Sequence, residues 1–423
     1  MNFYLLTASA ICLLASCSTQ KDPLKGTRED FIVSGTFKTD PLLNKKSITL
    51  PAALKNSSWP TANKNLNLKA QEISTLRWEK CIGKGVSSGL SLMPNMVANK
   101  THIFTMDTTG NISAINQTDG KDAWSTRPTK HDDNTLAGGL AIENDTLIAT
   151  ASSGDITALN TKDGTQLWQI NVESPIRIGA TIHAGTAYIL TISNELIAVD
   201  IHTGKILWKH QGINELSAIL GGAEPVISGS TVLVAYSSGE YYALNTKTGD
   251  ILWSDTLTAA LRSDTVSSIT HIVANPIIDN DTAYVISHGG KMVATDMKTG
   301  NRNWQQNVGS IHNPIVIGDF LFIVSDLDEL ICMDKKTGKI RYAVNLQAYQ
   351  TTDKDKKLCF SSPLLVDGKL LITTLQGELL YIAVQDGKLL KTFNTDQKIM
   401  YAPIVVNGTY FLLSNDGILT SYE

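Results

Sequence analysis

Apolar and polar residues alternate along Tyr241–Asn245, and a second short apolar run, Ile251–Trp253, follows a turn at Thr248-Gly249. Alternation with a period of two is typical of a β-strand with one buried face. Glycine supplies the positive φ that a tight turn requires. The segment Tyr241–Trp253 therefore predicts a β-hairpin that ends on a tryptophan.

The same hairpin pattern recurs along most of the chain. A full copy has an Ala-x-Asn or Ala-x-Asp strand, a glycine turn and a tryptophan at the end of the second strand. Turn glycines mark seven copies: Gly120, Gly164, Gly204, Gly249, Gly300, Gly338 and Gly387. The last two copies are degraded and end on Tyr342 and Leu390. Units of about 40–50 residues with several short strands indicate the blades of a β-propeller. Their richness in Val, Ile, Thr and Tyr disfavours a helical array.

The two ends of the repeat region are incomplete and complement each other. After the seventh turn glycine, residues 399–422 supply only three strands, whereas Ser74–Trp78 is a tryptophan-ending strand with no partner before it. Pairing these ends closes a ring and removes exposed sheet edges. We predict an all-β fold over residues 71–423: an eight-bladed β-propeller of four-stranded antiparallel blades, with the last blade closed by the N-terminal strand.

The first residues have the pattern of an export signal. The apolar run Phe3–Ala15 is shorter than the about 20 residues that a membrane-spanning helix needs. It ends at Leu14-Ala-Ser-Cys17, which resembles a bacterial lipobox and implies cleavage before Cys17 and lipidation of that residue. Ser18 favours an outer-membrane anchor on the periplasmic face. An ordinary signal peptide with a chance cysteine is the alternative. We expect residues 1–16 to be the signal peptide and residues 17–70 a lipidated tether.

Composition and motifs give little support for catalysis or nucleic-acid binding. The chain has 36 basic and 40 acidic residues, a net charge of −4, and lacks a basic block interleaved with aromatic residues. It has no nucleophile elbow, zinc-protease motif or P-loop, and its histidines lack metal-ligand spacing. We predict a non-enzymatic protein without catalytic residues, metal or cofactor. Of Cys81, Cys332 and Cys359, at most two can pair.

Two long connections between blades carry apolar residues outside the strand pattern. Residues 209–222 include Leu216, Ile219 and Leu220, and residues 265–276 are similarly apolar. Such residues either pack inside a buried loop or form an exposed surface for a protein partner.

The repeat Ala243-Leu-Asn-Thr-Lys-Thr-Gly-Asp-Ile-Leu-Trp253 resembles the pyrroloquinoline-quinone-type propeller repeat. That repeat is shared by quinoprotein dehydrogenases and by non-enzymatic propellers, so it implies an eight-bladed fold but not the cofactor. The dehydrogenases carry a vicinal cysteine pair, which this sequence lacks. A quinone-dependent dehydrogenase or another periplasmic ligand-binding propeller is therefore the alternative interpretation.

Further segments resemble the BamB family of outer-membrane β-barrel assembly lipoproteins, most closely its alphaproteobacterial form. Besides the lipobox and Trp59-Pro60, they are Leu220–Pro225, Ser237–Tyr241, Ile286–Val293 and Phe360–Pro363. The resemblance implies a scaffold of the barrel assembly machinery (BAM) that binds the periplasmic POTRA domains of BamA. It also implies assistance to outer-membrane protein folding, with unfolded outer-membrane proteins as possible further partners.

The resemblance also implies a contact surface for BamA on two neighbouring loops, here residues 216–221 and 271–275. Leu216 and Ile219 keep the apolar character of the family's contact residues. Leu220 stands at the position of a contact arginine, and His271 and Val273 stand at the positions of contact aspartates. We therefore expect the apolar part of the contact to be kept here and its charged part to be changed.

Overall fold

The computed structural model describes residues 37–61, 66–86, 93–128, 137–215, 221–257, 271–349 and 357–423. Within these residues the chain forms eight four-stranded antiparallel sheets, which are the blades of a propeller. The predicted fold class is confirmed. Two short 3₁₀ helices, Pro41–Lys45 and Leu346–Tyr349, accompany the strands in the described residues.

The strands follow one another in regular groups of four. Strand β1 is Leu76–Cys81. Blade 1 contains β2 (Val97–Ala98), β3 (His102–Met106), β4 (Ile112–Asn116) and β5 (Asp122–Thr126). Blade 2 contains β6 (Ala137–Glu143), β7 (Thr146–Ala151), β8 (Asp155–Asn160) and β9 (Gln166–Asn171). Blade 3 contains β10 (Thr181–His183), β11 (Thr186–Leu190), β12 (Glu195–Asp200) and β13 (Ile206–Gln211). Blade 4 contains β14 (Val226–Ser228), β15 (Thr231–Ala235), β16 (Glu240–Asn245) and β17 (Ile251–Thr256).

The second half of the ring repeats this plan. Blade 5 contains β18 (Ile277–Asp279), β19 (Thr282–Ile286), β20 (Met292–Asp296) and β21 (Arg302–Gln306). Blade 6 contains β22 (Ile315–Ile317), β23 (Phe320–Val324), β24 (Glu329–Asp334) and β25 (Ile340–Asn345). Blade 7 contains β26 (Leu364–Val366), β27 (Lys369–Thr373), β28 (Glu378–Ala383) and β29 (Leu389–Asn394). Blade 8 contains β30 (Ile404–Val406), β31 (Thr409–Leu413) and β32 (Ile418–Tyr422) together with β1.

The two ends of the repeat region close the ring, as the sequence predicts. β1 pairs antiparallel with β32, with Leu76 opposite Tyr422 and Cys81 opposite Ile418. Main-chain bonds between Thr75 and Glu423 extend the pairing beyond the strands. The eighth blade therefore depends on contacts between residues that are more than 330 positions apart in the sequence.

The third and fourth strands of a blade are joined by a tight turn that local side chains stabilise. In blade 3, the Asp200 carboxylate accepts bonds from the amides of His202 and Thr203, at 3.0 and 2.8 Å. Gly204 then takes a positive φ of 71°. The aspartate side chain thus bonds to amides two and three positions later, and the glycine after them allows the chain to reverse. These local interactions close the turn without long-range contacts.

The repeat tryptophans wedge between neighbouring blades. Each indole N–H donates to a main-chain carbonyl of the next blade at 2.8–3.1 Å: Trp78 to Gln117, Trp124 to Thr161, Trp168 to Ile201, Trp208 to Thr246, Trp253 to Met297 and Trp304 to Lys335. The ring lies on the turn glycine of that blade, so a Cβ at Gly300 would meet Trp253 Cγ at 2.8 Å. Tyr342 makes the equivalent bond to Val384 through its hydroxyl, at 2.8 Å.

The seventh repeat differs from the sequence expectation. Leu390 is not the residue at the tryptophan position, since its side chain is exposed and the register of β28 and β29 places Lys391 opposite Tyr381. In the other blades this register position holds the interblade aromatic residue. The interface between blades 7 and 8 is therefore built differently from the rest.

Residues 37–61 and 66–73 pack along the propeller and join several blades. Thr39 forms a parallel bridge with Ile340 at the outer edge of blade 6, and Leu68 forms one with Val366 in blade 7. Trp59 pairs with Ala98 in blade 1, and Pro60 O accepts the Ile142 amide of blade 2 at 3.1 Å. This segment thus crosses the inner strands of the ring before it enters blade 8 as β1.

Candidate functional site

The connection between blades 3 and 4 leaves the propeller from a fixed position. Gly212 lies flat on the ring of Tyr236, where an added Cβ would meet the ring at 2.7 Å. The Gly212 amide donates to Asn194 O at 2.8 Å. The next residue, Ile213, exposes 59% of its surface although it sits on this rigid base.

Two buried polar side chains bind both main-chain groups of Ile213. Its amide donates to the Glu240 carboxylate at 2.8 Å, and its carbonyl accepts the Asn194 side-chain amide at 2.6 Å. The same carboxylate also accepts the hydroxyls of Ser238 and Tyr242. Buried polar groups that are fully bonded hold a segment in one conformation. We call Asn194 and Glu240 the loop clamp.

The two loops that the sequence analysis selects start from the same patch of the propeller. Gly221 and Gly222, at the end of the first loop, and His271 and Ile272, at the end of the second, line one small cavity of ≈ 30 Å³. Asn194 of the loop clamp lines it too. Leu216, Ile219 and Leu220 lie outside the described residues, as does Cys17. The described ends of the two loops therefore lie at the same small cavity.

His271 and Val273 have different environments. His271 is buried at 3% exposure, and burial lowers the pKa of its imidazole to about 4, so it is neutral at pH 7. Its carbonyl accepts the His288 amide at 3.0 Å. Val273 is half-buried and faces the central channel. Neither residue carries a charge that could replace an aspartate at this position.

A carboxylate does lie close by, in the next blade. Asp326 Oδ2 is 3.1 Å from Nδ1 of His288, and this contact raises the pKa of the His288 imidazole. Asp328, two residues further, pairs with Lys357 at 2.9 Å. Both carboxylates line the mouth of the channel, and sequence inspection of the two loops alone could not find them.

The centre of the ring contains a cavity of ≈ 610 Å³. Polar side chains next to the first strand of successive blades connect its wall: Asn275 Oδ1 accepts the Glu224 amide and Asn313 Oδ1 accepts the Asn275 amide, both at 2.7 Å. Ser362 Oγ then accepts the Asn313 amide at 2.9 Å. Trp59 of the N-terminal segment forms part of the same wall and is buried.

The described part of the chain offers little for metal or redox chemistry. It contains no group of three His, Cys, Asp or Glu side chains placed to hold a metal ion. Cys81, Cys332 and Cys359 are free thiols, and burial raises the pKa of the Cys332 thiol. None of the helices among the described residues is long and apolar enough to cross a membrane.

Sequence reasoning missed the clamp residues and Ile213. Asn194 takes a positive φ of 57°, a conformation that asparagine adopts more readily than most residues, but a single Asn in a turn is a weak signal. Glu240 is the first residue of β16 and lies 27 positions from Ile213 in the sequence, but only the fold shows that its carboxylate faces the Ile213 amide.

Comparison with known proteins identifies the family. The family described as "Outer membrane protein assembly factor BamB" matches residues 108–344, more than half of the chain. The chain belongs to the BamB family. Outer membrane protein assembly factor BamB of Salmonella typhimurium is 24% identical over 351 residues, which cover 81% of this chain and 87% of that protein.

A rickettsial relative and two solved structures are also similar to this chain. An uncharacterized protein of Rickettsia prowazekii is 31% identical over 217 residues, 49% of this chain and 51% of its own length. The crystal structure of BamB from Moraxella catarrhalis has a TM-score of 0.69 at 19% identity and covers 82% of this chain and 99% of its own. A europium-containing methanol dehydrogenase has a TM-score of 0.67 at 12% identity, covering 85% of this chain and 89% of its own. These structural likenesses show the propeller fold alone.

Proposed function

We propose that this chain is a non-enzymatic lipoprotein scaffold of the outer-membrane β-barrel assembly machinery. Lipidation at Cys17 anchors it in the outer membrane, with the propeller on the periplasmic face. It binds the POTRA domains of BamA, within the machinery, and assists the folding and insertion of outer-membrane proteins. Membership of the BamB family is the observation that carries the proposal.

The geometry of the two loop roots supports a contact surface in this region. The described ends of both loops line one cavity. The loop clamp holds the first loop's base, which lowers the ordering cost of binding. In this proposal Leu216, Ile219 and Leu220 supply apolar contacts and Val273 adds to them. His271 is buried, so its role is to hold the second loop's root.

The test is recovery of partners from the native envelope. The detergent-solubilised lipidated protein is captured through a C-terminal tag, and the co-purifying proteins are identified. We expect a BamA-type barrel with POTRA domains. The double variant Leu216→Asp, Leu220→Asp should lose it while keeping the same thermal unfolding. Ile251→Asp, an exposed position on the outer edge of blade 4, is the matched control and should retain it.

The anchor is tested separately. Cys17→Ala should move the protein from the membrane fraction to the soluble periplasmic fraction, because one or more acyl chains provide the membrane affinity in this proposal. Continued membrane association with no change in mass would reject the lipid anchor. Absence of any BamA-type protein from the wild-type capture would reject the scaffold.

A quinone-dependent enzyme is the second candidate, and the channel cavity of ≈ 610 Å³ is the observation in its favour. The fit of the residues is poor: the chain has no adjacent cysteines, and the described residues hold no cluster of three metal-ligating side chains. Adding pyrroloquinoline quinone and calcium, then measuring dye-coupled oxidation of alcohols, decides this alternative. Turnover of an alcohol would favour the enzyme over the scaffold.

A further inference from the structure

The outer edge of blade 6 is covered by an extended segment of the chain itself. Thr39 runs parallel to β25, and the Asp40 amide donates to Ile340 O at 2.7 Å. The Asp40 carboxylate accepts a bond from Lys339 Nζ at 3.0 Å. Phe37, three positions earlier, packs on the apolar cluster that contains Ile340. The segment is therefore bound through an apolar residue, Phe37, and through the carboxylate of Asp40, three positions later.

Blade 3 has the same turn and edge strand as the part of blade 6 that binds the N-terminal segment. Asp200–Ile206 and Asp334–Ile340 share the sequence Asp-x-x-Thr-Gly-Lys-Ile. Each aspartate accepts the same bonds from the two following turn amides and from the threonine hydroxyl. The register is the same too: Ile206 lies opposite Val199 as Ile340 lies opposite Met333. The Ile206 carbonyl therefore occupies the edge position from which Ile340 O accepts its bond.

The two edges differ in what covers them. Ile340 is 5% exposed beneath the N-terminal segment, whereas Ile206 is 37% exposed and the adjacent Leu207 is 46% exposed. Lys205, the counterpart of Lys339, is exposed and makes no ion pair within the described residues. An edge strand with unpaired main-chain groups and exposed apolar residues is a template for pairing with another strand.

Blade 4, next to blade 3, and blade 7, next to blade 6, do not have both a free lysine after the turn glycine and an isoleucine after the lysine. In blade 4, Asp250 takes the place of the lysine before Ile251. In blade 7, Lys388 follows the turn glycine but already pairs with Asp386 at 2.7 Å. Blade 3 therefore shares with blade 6 a lysine–isoleucine pair in the same turn, and no strand among the described residues covers the pair in blade 3.

We propose that the outer edge of blade 3 is a docking site for an extended segment of a partner polypeptide, in which an apolar residue precedes a carboxylate by three positions. The segment adds parallel to β13, donates an amide to Ile206 O and pairs its carboxylate with Lys205. Main-chain bonds supply the affinity of such strand addition, and side-chain contacts supply its specificity. The site lies at the N-terminal end of β13, whereas the first loop follows the C-terminal end of the same strand.

The probe is a fluorescent peptide with the sequence of residues 37–42, Phe-Lys-Thr-Asp-Pro-Leu, added to the full chain. A photoreactive phenylalanine analogue replaces Leu207 in blade 3 or, as the matched control, Leu252 in blade 4. We expect the peptide to crosslink at position 207 and not at position 252. Lys205→Glu should lower the yield about five- to tenfold, since it turns attraction of the carboxylate into repulsion.

A second variant tests whether the same docking site can be created in blade 4. Asp250→Lys gives blade 4 the same lysine–isoleucine pair and should create crosslinking at position 252. A peptide with Lys in place of its Asp should crosslink at neither position. Equal yields at 207 and 252, or a yield that depends on Lys339 and not on Lys205, would overturn the proposal. Crosslinks at 207 between two copies of the chain would do the same, because they would identify a second copy as the occupant.

Discussion

The ammonium group of Lys391 lies 3.0 Å from the carboxylate of Glu72, at the interface between blades 7 and 8. Lys391 occupies the register position that holds an aromatic residue in the other blades. An indole there would lie on a turn glycine of blade 8, but the third and fourth strands of that blade, β32 and β1, are not joined by a turn. The ion pair replaces the tryptophan where the ring is closed by separate strands.

Glu72→Gln should lower the stability of the ring slightly and in a salt-dependent way. Glu72 pairs with both Lys369 and Lys391, and these contacts lower the pKa of its carboxyl group. All three side chains are roughly one-third exposed or more, so each pair contributes at most about 1 kcal/mol. Urea unfolding at low salt and at high salt measures the effect. A loss that persists unchanged in high salt would contradict this account.

Gly300→Ala should destabilise the propeller more than Gly290→Ala. Both glycines have positive φ, 73° and 90°, so alanine is strained at either. A Cβ at Gly290 meets nothing within 4 Å, whereas one at Gly300 would strike Trp253. The clash adds roughly 1–3 kcal/mol, the usual cost of overpacking. Urea unfolding of the two variants gives the comparison, and equal losses would show that the indole moves away freely.

Asn194→Ala should loosen the base of the first loop. The substitution leaves Ile213 O and the Ser237 amide without their partner, which costs about 1–3 kcal/mol locally. We expect faster amide hydrogen exchange in residues 212–213 and weaker capture of the BamA-type partner. Asn171→Ala removes a similar side-chain bond, to Ser153 O in blade 2, and is the control. Unchanged exchange in the Asn194 variant would reject the clamp.

Acid should destabilise the protein between about pH 6.5 and pH 4, in part through His271. Burial lowers its folded-state pKa to about 4, below the ordinary histidine value of 6.5, so the unfolded chain binds a proton first as the pH falls. Its contribution to stability is present above pH 6.5 and is lost towards pH 4. His288 acts in the opposite sense, because Asp326 raises its pKa and stabilises the protonated form.

His271→Gln should flatten this pH dependence. The difference in unfolding free energy between pH 7 and pH 4.5 should shrink by roughly 1–3 kcal/mol, whatever the variant's stability at neutral pH. Urea unfolding at several pH values measures it. His183→Gln, at an exposed position of blade 3, is the matched control variant. If the unfolding free energy of the His271 variant depends on pH as strongly as that of the wild type, other groups cause the acid sensitivity.

Local pattern was enough to predict the repeating parts of this protein. The turn at Asp200–Gly204 is stabilised by side-chain hydrogen bonds over two or three positions. Its residues therefore predict the turn without knowledge of the rest of the fold. Seven such turns and the complementary ends were enough to predict the ring and its closure through β1 and β32. The strand residues alternate because each blade buries its faces against its neighbours.

Only the tertiary structure decided which non-repeating residues meet. Thr39 pairs with Ile340 and Trp59 with Ala98 through main-chain bonds, which any sequence can make and which therefore leave no pattern. The clamp on Ile213 and the pairing of Lys391 with Glu72 join residues from different parts of the ring. The pairing of Lys391 with Glu72 follows from the ring's closure, whereas the clamp follows from the packing of blade 3 beside blade 4. Neither contact can be read from local periodicity. The sequence by itself determined the blades, and the packing of neighbouring blades determined the site.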